Sequence, residues 1–530
     1  MARQLPHRGR KRRSTQHEIT RYKMQAIRRG VGMNLRRLLS PLWSPKQRVP
    51  DGAPRRRHHP FDLDYPLFYW SQADPFRLRD AVTGTLVFGA TGSGKTSAIL
   101  RALLLTYFRA GYGGIIFTTK PGEYEEIRRW AEEAGRLDSL IRFATEEKHR
   151  FNFLGYESTY PGRGGAQTEN IVKLLTTVQE SFDRNGDGGG KQERFWKLAL
   201  EQLLRNAIDL RLLARSGEAL SVRSLYDVIV SAPTNPEQLD SEAWQQKSAC
   251  YRLLDEAVNN DQLSPQQKSD LDITGRYFLQ EFPTLPGDTR GSIISTFTTM
   301  ADIFLRGQIG NLFSSGLNIV PEVAHEGGII VIDIPVKTFG QVGIAAQTLW
   351  KYIFQQACER RDVGKNPRPI FLVSDECHNL LNQHDASFLT TARSSRCCSI
   401  YMTQSYPNLV AAMGGEQRGQ ALADSFAGAS ANRIFCANTD PKTNEWAASV
   451  FAKSFQSRFS SGVNRSDKGG SSSNAGASES LEHLVQPAEF VTLAKGGPEA
   501  GYLVEAIVSQ GGRVFNASGQ TYLKTAFSQL

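Results

Sequence analysis

The chain has 530 residues, 40% of them hydrophobic, which exceeds what a single domain needs and suffices for sizeable cores. Its formal charge of +10 arises from 63 Lys and Arg against 53 Asp and Glu, yet residues 1–60 alone hold 17 against 2, leaving 46 against 51 for the remainder. The basic charge is therefore an N-terminal arm, and any nucleic-acid contact by the body would need local patches. With no run of about 18 apolar residues and no apolar secretory core, the sequence reads as cytoplasmic rather than secreted or membrane-spanning.

The arm opens on the charge run Arg8 to Arg13, which predicts disorder. From His17 to Trp43, Ile19, Met24, Ile27, Val31, Leu35, Leu38 and Leu39 recur at helical spacing among Arg21, Lys23, Arg28, Arg29, Arg36 and Arg37. A basic amphipathic helix with this pattern suits an anionic membrane surface, giving a peripheral contact through residues 1–43, or a nucleic-acid backbone. The alternative is a solvated or self-packing extension. A linker rich in Pro, Arg and His, Ser44 to Pro60, closes the arm.

The first part of an α/β domain is expected over 61–164. Thr85 to Phe88 reads as a short buried strand and Ser97 to Ala110 as a helix; between them stands Gly89-Ala90-Thr91-Gly92-Ser93-Gly94-Lys95-Thr96. This matches G-x-x-x-x-G-K-[ST] in the strand-loop-helix setting that the motif requires. Glycines let the loop backbone turn its N–H groups toward phosphate oxygens, Lys95 neutralises the β and γ charge, and the Thr96 hydroxyl is placed to ligate Mg²⁺. The chain therefore reads as a nucleoside-triphosphate binder that takes Mg²⁺. A second strand is expected at Gly114 to Thr118 and a second helix at Tyr124 to Ala134.

Strand signals nearly vanish from 165 to 312. Segments such as Phe195 to Leu204 carry helical apolar stripes, which predicts an all-α domain interrupting the α/β one. The glycine-rich stretch Asn185 to Gly190 within it has no preceding strand and makes no claim on phosphate. Alternation resumes over 313–515. Strands are expected at Gly328 to Asp333, Pro369 to Ser374, Cys398 to Met402, Arg433 to Ala437 and Gly501 to Val508, with a helix from Gly343 to Arg361. Residues 460–480, rich in Ser, Gly and Asn, read as a long flexible loop, and 516–530 as a C-terminal tail. The six cysteines show no metal or redox spacing and read as reduced, mostly buried thiols.

Hydrolysis needs a metal-orienting carboxylate and a group that positions water. The apolar strand Phe371 to Ser374 ends in Asp375-Glu376, where Asp375 would hold the Mg²⁺ shell and Glu376 would polarise the attacking water. Ligands of open α/β sheets bind at the C-terminal strand ends, beside the phosphate loop. Downstream, Gln404 closes another strand, where an amide can sense the γ-phosphate, and Arg393 on the preceding helix can reach a neighbouring subunit's nucleotide.

Phe88 to Thr96, Phe195-Trp196, Val373 to Glu376, Thr403-Gln404-Ser405 and the helical insertion, in this order and spacing, resemble the type IV secretion coupling proteins of the TraG/TraD family. These belong to the FtsK/HerA class of RecA-like motors. The resemblance covers about 61–510 and implies a RecA-like P-loop NTPase with a parallel-rich central sheet, interrupted by the all-α domain. It further implies a homohexamer that uses ATP with Mg²⁺ to pump single- or double-stranded DNA and delivers it with its relaxase to a type IV secretion channel. Carried over by position, Lys95 and Thr96 take phosphate and Mg²⁺, Asp375 supports the metal, Glu376 is the catalytic acid, Arg393 the finger acting in trans, with Arg396 in reserve, and Gln404 the sensor. Two features depart from the family: a basic arm stands where transmembrane helices usually do, and the second strand ends in Thr118-Thr119-Lys120-Pro121-Gly122-Glu123, leaving Lys120 without an assigned role. A HerA-like DNA-processing ATPase without a secretion channel, and a nucleotide-switched receptor for relaxase or effector proteins, are the alternative readings.

Overall fold

Short apolar runs make the parallel strands of this protein, whose computed structural model describes residues 59–530 except 163, 183–190, 215–216 and 466–470. The arm with its expected helix, and Asn185 to Gly190, lie outside the described residues. In chain order the strands are β1 (Pro66–Ser71), β2 (Asp74–Arg77), β3 (Thr85–Phe88), β4 (Gly113–Phe117), β5 (Leu140–Phe143), β6 (Ile329–Ile332) and β7 (Ile370–Ser374). They continue with β8 (Cys397–Thr403), β9 (Asn432–Phe435), β10 (Lys453–Arg465), β11 (Ser471–His483), β12 (Leu503–Gln510) and β13 (Tyr522–Ser528). Two compact units divide the chain: 59–112, Ile127–Leu137 and Pro369–Leu530 form one, Gly113–Glu126 and Asp138–Arg368 the other.

In the first unit the strands run in the order β13-β12-β9-β3-β8-β7. β9, β3, β8 and β7 are mutually parallel, while β12 joins β9 and β13 joins β12 antiparallel. Every residue of β3, β7 and β8 is buried, which is why these strands read as unbroken apolar runs and not as alternating ones. The helix Arg101–Arg109 packs on β7, with Tyr107 and Phe108 at 5.9 and 5.8 Å, ring centre to ring centre, from Phe371. Truncating such a fully buried ring costs about 3–5 kcal/mol, so the strand that carries Asp375 is held firmly. Because the strands are parallel, the residues following β3, β7 and β8 all emerge at one edge.

The second unit holds β4, β6 and β5 in the order β4-β6-β5, all parallel. From 168 to 314 its described residues are helices joined by turns and short loops, with no strand. Arg142 within β5 donates through Nε and Nη2 to Asp333 Oδ2 at 2.8 and 2.6 Å, and its guanidinium lies 4.6 Å over the Tyr124 ring. Lys120 is exposed just past β4, and the backbone N–H of Thr119 before it donates to Glu123 Oε2 at 2.6 Å.

Two sequence expectations are corrected. Instead of one long loop over 460–480, β10 and β11 pair as an antiparallel ribbon of thirteen residues a side. A ladder is built by backbone N–H and C=O groups, so Ser, Gly and Asn neither announce nor forbid it. The apolar pair Phe455 opposite Leu481, near its base, is the one clue in the flanks. Likewise the tail 516–530 contains β13, whose Leu523 and Phe527 are buried and whose backbone pairs with β12 from Tyr522 to Ser528. All six cysteines are buried and unbridged.

Candidate nucleotide site

The loop after β3 is built by its glycines. Gly94 has φ +82°, and a Cβ there would stand 2.3 Å from Val504 Cγ2 on β12, so both conformation and space demand glycine. The loop is tied to the strands flanking β3: Gly89 N donates to Thr403 O at 3.3 Å and Ala90 N to Ala437 O at 2.9 Å. Lys95 is only 6% exposed and its ammonium turns back on the loop, donating to Gly89 O at 2.5 Å and Ala90 O at 3.4 Å. Ser93 Oγ is buried with no hydrogen-bond partner. Lys95 to Leu100 form a π-helical turn before the regular helix, a deviation common at functional sites.

The strand-end acids meet this loop directly. Thr96 Oγ1 donates to Asp375 Oδ2 at 2.8 Å, across 279 residues of sequence, and Asp375 Oδ1 accepts from Glu376 N at 2.8 Å. Burial pushes the Asp375 carboxyl above its ordinary range, and the neighbouring Glu376 charge adds to that; the Thr96 bond and Lys95 act the other way. An ionised carboxylate there is costly, and a cation beside it would offset the cost.

Glu376 has φ +45°, a left-handed conformation unusual outside glycine, and it is held there by Asn379, whose N–H and side-chain amide both donate to Glu376 O at 3.0 Å. This turn aims the side chain at Gln404, whose Nε2 donates to Glu376 Oε1 at 3.0 Å. The other oxygen, Oε2, is buried without a hydrogen bond. Gln404 is fixed in turn by Asn438 Nδ2, which donates to its carbonyl at 2.8 Å.

His378 joins the site without belonging to any of the sequence motifs above. Its Nδ1 lies 3.2 Å from Thr403 Oγ1 and 3.7 Å from Glu376 Oε2, joining the turn after β7 to the end of β8. The signal was available in the spacing Asp375-Glu376-Cys377-His378, which puts the ring within reach of the acid two residues before it.

The two arginines differ sharply. Arg393 caps the C-terminus of the helix Gln383–Ala392 and is exposed, with no ion pair or hydrogen bond engaging its guanidinium among the described residues. Arg396 has φ +50° and donates from Nη1 to Phe61 O at 2.9 Å, which employs it inside its own unit.

The donors at the centre suit Mg²⁺. Thr96 and Asp375 offer a hydroxyl and a carboxylate, hard oxygen ligands, and among the described residues no group of three or more His, Cys, Asp or Glu forms an all-protein cage. A metal that keeps its waters and shares phosphate oxygens needs no such cage. The loop, two acids and an amide thus line one strand edge, an arrangement that can bind a nucleoside triphosphate and orient water toward it.

Residues 369–495 match the family model described as the TraM recognition site of TraD and TraG. No curated protein matches the chain. Among solved structures, the unbound bacterial conjugative coupling protein TrwBdeltaN70 superposes with a TM-score of 0.58 at 16% identity, over 88% of this chain and 89% of that one. TrwB in complex with the ATP analogue ADPNP gives 0.58 at 15%, and TrwB with ADP and Mg²⁺ gives 0.57 at 15%, each over 88% of this chain and 90% of the other. The chain therefore has the fold of the TrwB coupling protein over most of its length, and over residues 369–495 it matches the TraD and TraG family.

Proposed function

We propose that this chain is an ATP-driven DNA translocase that brings conjugating DNA and its relaxase to a type IV secretion system, acting as a homohexamer. The observation that carries the reading is the bonded line Thr96, Asp375, Glu376, Gln404, which joins phosphate loop, metal-side acid, water-side acid and sensor. The match over 369–495 and the TrwB fold supply the coupling role, and the relatives' complexes with ADPNP, GDPNP and ADP with Mg²⁺ support a purine nucleotide and that metal as cofactors. The description of the matched family points to a relaxosome or secretion component docking on the same segment. No described helix is long and apolar enough to cross a membrane.

In this mechanism Lys95 leaves its loop carbonyls to meet the β and γ phosphates. Thr96 and Asp375 would hold Mg²⁺, which neutralises phosphate charge. Glu376 Oε2, without a hydrogen-bond partner, takes the proton of the attacking water. Gln404 bridges that acid and β8, so a change at the γ-phosphate reaches Asn438 and the segment after β9. Arg393 serves the nucleotide of a neighbouring subunit.

DNA should raise ATP turnover, and the stimulation should fall steeply with salt, with a log–log slope of about −0.9 per phosphate neutralised on duplex or about −0.7 on single strands. Phosphate release measured across a salt series tests this. Slow turnover indifferent to DNA, together with tight binding of a relaxase, would instead favour a nucleotide-switched receptor.

His378 acts in this scheme as a positioning residue for Glu376. A His378→Ala enzyme is expected to lose about tenfold in kcat with KM for ATP nearly unchanged, since about 1.4 kcal/mol of lost orientation equals one decade. His378→Gln should recover part of it. A rise in KM with kcat intact would place the ring in substrate binding instead.

A further inference from the structure

One flank of the phosphate loop is occupied by the acids, and the sheet order says what occupies the other. In β13-β12-β9-β3-β8-β7, Asp375 and Glu376 follow β7 and Gln404 follows β8, all to one side of β3. On the opposite side, Val504 of β12 presses against Gly94 closely enough to exclude any side chain there. A nucleotide whose γ-phosphate faces the acids can extend its nucleoside along the loop's helix toward the β12 and β13 side.

That side carries a built amide. Gln529 Nε2 donates to Ser97 Oγ at 2.7 Å, and Ser97 immediately follows Thr96. Gln529 Oε1 accepts from Gly497 N at 2.7 Å, and Gln529 N donates to Tyr502 O at 2.9 Å. The turn it grips is moulded to it: Gly496 has φ +84°, and a Cβ there would lie 2.2 Å from Oε1. Tyr502 sits at φ +60°, strained for a residue with a side chain and locked by bonds to Gly497 O and from Gln529 N. One turn along the loop's helix, Arg101 donates to Leu530 O at 2.9 Å and pairs with Glu133, also at 2.9 Å, fixing the same segment.

An amide offers two N–H donors and two acceptor lone pairs. Each end of Gln529 makes one bond, so one donor and one acceptor remain on a half-buried side chain beside Ser97. We propose that Gln529 is the ribose-side contact of the nucleotide site, presenting that donor and acceptor to the sugar hydroxyls; this rests on the nucleotide-binding reading above. An amide aimed at the sugar does not read the base, so losing this contact should weaken adenine and guanine nucleotides alike.

Calorimetric binding of ADP, GDP and inorganic tripolyphosphate, each with Mg²⁺, tests the assignment in the full chain with Gln529→Ala and the shortened amide Gln529→Asn. Both variants should bind ADP and GDP about tenfold more weakly, the value of one hydrogen bond, while tripolyphosphate binding stays within about twofold. Equal weakening of all three ligands would make Gln529 a brace for the loop, and no weakening of any would make it a surface residue; either result overturns the proposal. A loss confined to one purine would move the contact to the base and overturn the ribose assignment. Binding of none of the three by the unaltered chain would instead defeat the nucleotide reading itself. Thermal melting of each variant separates these outcomes from unfolding.

Discussion

Glu376→Gln is expected to leave ATP binding intact and slow turnover about a hundred- to ten-thousandfold, the usual contribution of a positioned general base. The substitution is nearly isosteric. Its carbonyl oxygen can still accept from Gln404 Nε2, and its backbone can keep the φ +45° turn, because Asn379 grips Glu376 through its main-chain oxygen and not its carboxylate. What is lost is the basicity of Oε2, the atom with no hydrogen bond to share its charge. Single-turnover phosphate release alongside equilibrium nucleotide binding would separate the two effects. An E376Q enzyme within threefold of normal turnover would sink the assignment. Asp375→Ala should behave differently, since it removes the acceptor of the Thr96 hydroxyl and weakens Mg²⁺-dependent binding as well as rate.

The elements that make this site were legible because each combines a buried apolar run with a motif at its end. β3 runs into the glycine loop, β7 into two acids, and β8 into Thr403 and Gln404, so parallel pairing alone gathers their ends. Elements whose residues answer to tertiary partners were harder to read. β5 contains Arg142, which looks like a solvated charge until Asp333 pairs with it. β1 and β2 are brief, contain Pro66 and Pro75, and form a separate hairpin. β10 and β11 follow backbone pairing that a Ser- and Gly-rich sequence does not encode. The left-handed turns at Glu376 and Arg396 were hidden for another reason: neither residue type signals positive φ, and each is imposed by its surroundings. Arg393 and Arg396 were therefore hard to rank from spacing, whereas the Arg396 bond to Phe61 O separates them at once.

That separation gives the second large effect. Arg393→Ala should cut turnover about a thousandfold or more, as loss of an arginine finger does. Lys95→Ala should do so as well, by removing the charge proposed to meet the phosphates. The two defects lie on opposite partners of a head-to-tail interface if Arg393 acts in trans. A Lys95→Ala subunit still offers its Arg393, and an Arg393→Ala subunit still offers its loop. In rings formed from equal amounts, about a quarter of interfaces pair an intact loop with an intact finger, so activity should return toward a quarter of normal if sites fire independently. Arg396→Ala should not be rescued in this way, because its guanidinium serves Phe61 in its own unit and its loss acts through the fold. Phosphate release from co-assembled mixtures across ratios reads the answer directly. No recovery at any ratio, with mixed assembly verified, would place Arg393 in its own subunit's site or outside catalysis. Recovery that peaks near equal ratio requires loop and finger to come from different chains, and makes assembly itself a condition for hydrolysis.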